Sequence, residues 1–63
     1  MLEAKFDGYK TIIRENGKVV KTVDYNDSRI ARVRYWGHKV DVPGCDCEDC
    51  LVGKAVAEVM PGI

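Results

Sequence analysis

Four residues of this chain carry metal-ligand chemistry at close spacing: the imidazole of His38 and the thiols of Cys45, Cys47 and Cys50. They are its one histidine and its three cysteines. In extended backbone, side chains at i and i+2 point the same way, so Cys45 and Cys47 reach one point in space. Cys47 and Cys50, at i and i+3 near a helix start, share a face. Three thiols therefore converge on one atom without contortion, which is the demand of a tetrahedral zinc site. The fourth ligand has farther to travel. His38 stands seven residues before Cys45, about 23 Å of extended chain, and Pro43-Gly44 supplies a turn that brings the backbone back. The expected site is Zn2+ held by His38, Cys45, Cys47 and Cys50, with Asp46, Asp49 or water as substitutes for the imidazole.

Two other chemistries compete for the same thiols. Cys47 and Cys50 form a CxxC that opens a helix, the arrangement of a dithiol redox protein, although no βαβ pattern precedes it. Unmetallated thiols packed as small apolar side chains are the plainer alternative. Asp46, Glu48 and Asp49 surround the sulfurs in sequence, and neighbouring negative charge suppresses a thiolate. Those acids are tolerable beside a dication, so they favour metal over a reactive cysteine. An iron–sulfur cluster asks for four cysteines and would need another chain.

A second cluster lies just upstream. "SRIARVRYWGHK" contains Arg29, Arg32, Arg34 and Lys39 with no acid among them. On a strand, Ala31, Val33 and Tyr35 fall on one side as core, and Arg32, Arg34, Trp36 and His38 on the other. Cations alternating with an aromatic plate suit stacked bases and phosphates, so single-stranded nucleic acid is one expected partner of Arg29, Arg32, Arg34, Trp36 and Lys39. Trp and Arg are also the residues most enriched at protein interfaces, so a regulatory or inhibitory protein docked on a protein partner is the other. "DYNDS" echoes a calcium loop through Asp24, Asn26 and Ser28. Arg29 stands where its glycine belongs and Tyr35 where its bidentate glutamate belongs, which leaves an ordinary turn.

The elements that must position these groups follow from pattern. Asp7-Gly8 and Asn16-Gly17 are two-residue hairpin signals, and "YKTIIRE" and "KVVKTVDY" are rich in β-branched and aromatic residues. Strands are expected over roughly 2–6, 9–15 and 18–25. With the second turn at Asn16-Gly17, Ile13 faces Val20 and Thr11 faces Thr22, and neither sheet face comes out cleanly apolar. That mixed pattern points to cover on both faces, as a second subunit would give. "SRIARVRYWGHKVDV" continues as strand, with Gly37 as a bulge and Pro43-Gly44 as its end. The tail is helical: Val52, Ala55, Val56 and Val59 recur at helix spacing, flanked by Leu51 and Met60, and Pro61-Gly62 stops it.

The whole reading is one domain of 63 residues, α+β, with an antiparallel meander of four or five strands followed by one C-terminal helix. Residues 1–43 form the β-rich part and 44–63 the cysteine cluster and helix. So short a core rarely supplies more than ~3–5 kcal/mol unaided, which makes a metal staple or a homodimer an expected form. Charge totals zero but is uneven: residues 1–39 hold nine Lys/Arg against five acids, and residues 40–63 one Lys against five. No apolar run is long enough to span a bilayer and the N-terminus lacks a signal-type apolar core, so the expected address is cytoplasmic, without membrane contact. No serine–histidine–aspartate set, phosphate loop or HExxH is present, and the expected role is binding, not enzymatic chemistry.

Overall fold

The computed structural model describes residues 1–60. Its elements are β1 (Leu2–Phe6), β2 (Thr11–Glu15), β3 (Lys18–Val23), α1 (Tyr25–Asp41) and α2 (Glu48–Val59). The strands form one antiparallel sheet in sequential order. The class is α+β as expected, with three strands in place of four or five and two helices in place of one. The β-rich part ends at Val23, not at residue 43.

Both hairpins occur, each with a twist on its expected form. Phe6 pairs with Thr11, so the first loop has four residues instead of two and β2 starts at Thr11, not at residue 9. Asp7 organises that loop: its carboxylate accepts the N–H groups of Tyr9 and Lys10, each at 2.9 Å. Asn16 and Gly17 adopt φ of 52° and 85°, as a two-residue turn with two positive-φ positions requires. Glu15 then pairs with Lys18 and Arg14 with Val19, but Ile13 pairs with Lys21. Val20 is therefore an extra residue in β3, a bulge. The expected pairs Ile13–Val20 and Thr11–Thr22 give way to Ile13–Lys21 and Thr11–Val23. This shift moves Val23 onto the Ile13 side, where it packs with Ala4 against the core. The sheet thus packs Ala4, Phe6, Ile13 and Val23 against the core, while Leu2, Val19 and Val20 stay exposed.

Residues 25–41, expected mostly as strand, are helical, and the reason is local. Asp24 is the N-cap; its carboxylate accepts the Asp27 N–H at 2.7 Å, and its carbonyl accepts the Ser28 N–H at 2.9 Å. Asn26, Asp27 and Ser28 form the first helical turn, not a β-turn, and Gly37 lies inside the helix. The side chains turned toward the rest of the molecule are Ser28, Ala31, Tyr35 and His38, a run at i, i+3, i+7 and i+10. Ser28 ties this helix to the sheet. Its hydroxyl donates to the Val23 carbonyl at 3.2 Å and meets the Thr11 hydroxyl at 2.9 Å, so Thr11 is the donor in that pair. Both residues are fully buried.

α2 is the expected helix. Val52, Ala55 and Val56 are buried, whereas Val59 departs from that set at 52% exposure. The Pro61-Gly62 stop lies outside the described residues. The core combines Phe6, Ile13, Ala31, Val52, Ala55 and Val56, so α2 covers β1 and β2 and also packs along α1. That helix pair is unusually close at Gly53, where a Cβ would collide with the Tyr35 Cβ and stand 2.5 Å from the Ala31 carbonyl oxygen. Among the described residues no helix is long and apolar enough to cross a membrane.

Candidate metal centre

Three short pieces of backbone deliver the four ligands. His38 lies in the last turn of α1, where the Val42 N–H closes the helix by donating to the His38 carbonyl at 2.7 Å. Pro43 then ends helical geometry and Gly44 turns the chain with φ of 84°. The Cys45 N–H donates to the Val42 carbonyl at 3.1 Å, which brings Cys45 back beside His38. Cys47 is the extended N-cap residue of α2, and Cys50 follows in its first turn. The 23 Å of extended chain between His38 and Cys45 never arises, because helix and turn consume it.

The result is one compact cluster. The ligand atoms of His38, Cys45, Cys47 and Cys50 all lie within 4.8 Å of one another. From His38 Nδ1 the sulfurs are 3.2 Å (Cys50), 3.5 Å (Cys47) and 3.6 Å (Cys45) away. Zn–S bonds of about 2.3 Å and a Zn–N bond of about 2.0–2.1 Å at tetrahedral angles put nitrogen and sulfur about 3.5 Å apart. These separations bracket that value. One imidazole nitrogen carries at most one proton and cannot bond three sulfurs at once, whereas one cation at the centre satisfies all four atoms together. The four residues are positioned to hold a metal ion.

Burial is graded across the ligands. Cys50 is buried, His38 and Cys45 are half-buried, and Cys47 is exposed. Their electrostatics differ accordingly. The Cys50 backbone N–H, at the start of α2, draws the Cys47 thiol down to about 7, with the Cys45 thiol adding to it. This is attraction toward a helix start and not a formed cap, since Cys47 makes no side-chain capping hydrogen bond. Burial first, and the other two thiols second, push Cys50 up to about 12. Two of the three acids that sequence places around the thiols are paired with cations. Glu48 is engaged by Lys21 at 2.7 Å and Asp49 by Arg34 at 3.2 Å. On the open side, Lys39 and Lys54 line the hollow that His38, Cys45 and Cys50 share.

The basic and aromatic residues are redistributed by the helix. Strand alternation grouped Arg32, Arg34, Trp36 and His38; the helix separates them. Arg34 turns toward α2 and pairs with Asp49, and His38 joins the cysteines. Arg29, Arg32, Trp36 and Lys39 instead share one stripe with Tyr25, at i, i+4, i+7, i+11 and i+14. The Arg29 guanidinium carbon is 5.7 Å from the Tyr25 ring centre, and that of Arg32 is 5.1 Å from Trp36 and 6.0 Å from Tyr35. Of the strand's expected core side, Ala31 is buried and Tyr35 half-buried, but Val33 is 70% exposed. Sequence reasoning missed Tyr25, Lys54 and the packing role of Gly53. The first needed the correct period, and the other two needed the helix pair itself. No family model, no curated protein and no solved structure matches this chain.

Proposed function

We propose that this protein is a non-enzymatic binding module whose two helices are stapled by one structural Zn2+ on His38, Cys45, Cys47 and Cys50. The observation that carries the reading is the set of three Nδ1–sulfur separations, 3.2, 3.5 and 3.6 Å, around one point. Four protein ligands fill a tetrahedral shell and leave no open position for substrate or activated water, which is the mark of a structural site. Three thiolates and an imidazole select zinc over calcium or magnesium, whose ligands are oxygens. The staple also answers the size problem, because its binding energy becomes folding energy in so small a chain.

The module's contact element is the solvent side of α1. It carries Arg29, Trp36 and Lys39 of the basic and aromatic set, and beside them Ile30, Val33 and Val40, all exposed, whereas Arg32 is buried under that stripe. Exposed aliphatic side chains offer nothing to phosphates, and the net charge is zero. Both features favour a protein partner over nucleic acid.

Native mass spectrometry before and after chelation tests the metal. One zinc per chain is expected, lost with chelator and absent in His38→Ala and Cys50→Ser. A chain that stays metal-free in zinc buffer sinks the reading and leaves free thiols. A species lighter by two hydrogens under mild oxidant, linking Cys47 to Cys50, would put the dithiol redox protein in its place.

A further inference from the structure

We infer that the solvent side of α1 is the docking face for an acidic amphipathic helix of another protein. The inference rests on reading α1 as the contact element, and not on the zinc.

Exposure comes first. Ile30, Val33, Trp36 and Val40 are 49%, 70%, 61% and 69% exposed, and their steps of three, three and four lay them along one side of the helix. Apolar residues scattered singly need no explanation, but four in line on one element mark an interaction surface.

Glycine supplies the second observation. A glycine inside a helix weakens it, so its presence there asks for a packing reason. Gly53 has one: any side chain would strike Tyr35 and Ala31. Gly37 has none among the described residues, since a Cβ there would meet nothing of them within 4 Å. It sits beside Trp36, between Val33 and Val40. A partner backbone lying in that gap is what would use the missing side chain, as α1 itself uses the one at Gly53.

Charge identifies the occupant. From Ser28 to Val40 the helix contains no acid. Arg29 and Lys39 are exposed and form no ion pair among the described residues. Arg32 is 95% buried, and its Nε has no hydrogen-bond partner among the described residues. It rests against Trp36, so a buried cation without a carboxylate lies at the margin of the apolar line. A partner with carboxylates along one edge and apolar residues at helix spacing complements both features. A second copy does not. In a two-fold antiparallel pair each flank meets its own counterpart, which would set Arg29 and Lys39 against the same cations.

The test is selection from a displayed library of helix-forming 20-residue peptides against the full chain, with Val33→Asp and Arg29→Glu/Lys39→Glu as comparison baits. All three positions are exposed; because Lys39 also lines the hollow beside the sulfurs, Arg29→Glu alone is run as a further bait, and unchanged helical circular dichroism and metal content certify each one. Trp36, the one tryptophan, reports binding by fluorescence. Expected are peptides with glutamate or aspartate flanking an apolar line, weakened about tenfold or more by Val33→Asp. The double charge reversal should select lysine-flanked peptides instead. Peptides that respond to Val33→Asp but carry no acidic bias would overturn the acidic partner and leave α1 as the contact element. Peptides indifferent to all three substitutions, or no enrichment at all, would overturn both. Salt-sensitive capture of an oligo(dT) probe through Arg29 and Lys39 would assign the face to nucleic acid. Concentration-dependent dimerisation abolished by Val33→Asp would assign it to a second copy.

Discussion

The two ends of α1 are anchored by different chemistry. At the N-terminal end, Asp24 caps the helix and Ser28 joins the Thr11 hydroxyl and the Val23 carbonyl in a buried chain. Every group there is neutral or close in sequence, and the bonds form as the hairpin and helix meet. At the C-terminal end, His38 faces three sulfurs whose lone pairs no proton arrangement satisfies together. The first end is complete with the chain's own atoms. The second places four ligand atoms where they could hold a metal ion. A small domain can thus divide its stabilisation between a corner folded by hydrogen bonds and a corner folded by a ligand.

The largest test of that division is to remove the ligand. Zinc contributes ~10–16 kcal/mol of apparent binding energy in small peptides, several times what so short a core provides. Chelation should therefore abolish the cooperative thermal transition, and Cys50→Ser should do the same. Retention of the full transition by the chelated chain would mean that the hydrogen-bonded corner suffices alone.

Next in size are substitutions between the corners. Gly53→Ala drives a methyl into Tyr35 and Ala31, and overpacking of this kind costs about 3 kcal/mol. Gly37→Ala, on α1, meets open space and should stabilise the free chain by up to about 1 kcal/mol. Denaturant midpoints read both, and equal effects would contradict the helix packing. At the N-terminal corner, Ser28→Ala strands the buried Thr11 hydroxyl for about 1–2 kcal/mol. Thr11→Val combined with Ser28→Ala should cost less than the two singles added, since removing both partners leaves nothing unpaired. Simple additivity would mean that the two hydroxyls are not coupled.

The smallest effect asks whether the metal corner exists before the metal. Cys47 in the folded chain lies near 7, below the ordinary thiol value of 9.0. A group lowered in this way adds stability fully above 9.0 and loses it as pH falls through 7, so rising pH favours a preformed corner. At pH 7 a preformed corner releases about half a proton from Cys47 when zinc enters, and an unformed one releases about a whole proton. Calorimetry in buffers of different ionisation enthalpy counts the protons, with Cys47→Ser as the reference. A whole proton is the expected result, in line with collapse on chelation.

How much of this was legible in residue types follows the same divide. The four ligands could be named without knowing the fold, because imidazole and thiol chemistry is carried by single side chains. The turn at Asn16-Gly17 was equally plain, since few pairs besides Asn-Gly accept two positive φ angles, whereas Asp7-Gly8 marked its hairpin but not its four-residue loop. The identity of α1 was hidden. Ala31, Val33 and Tyr35 alternate as a strand would, and Ile30, Val33 and Val40 are β-branched, while the inward run from Ser28 to His38 mixes a hydroxyl, a methyl, a phenol and an imidazole. The signal that could have decided it was the Asp24 cap three residues before Asp27. The bulge at Val20 left no mark in composition, because it is set by which side of Ile13 the chain must bury.

Gly53 and Cys50 are three residues apart on α2, and Tyr35 and His38 are three residues apart on α1. The helices run in opposite directions, so the bare spot at Gly53 fixes how far α2 may slide along its neighbour, and one turn onward that offset becomes the gap between sulfur and imidazole. The spacing of the four candidate ligand atoms is thus gauged by a residue that is not one of them. A bulkier side chain at that position would be felt as a change in which metals fit.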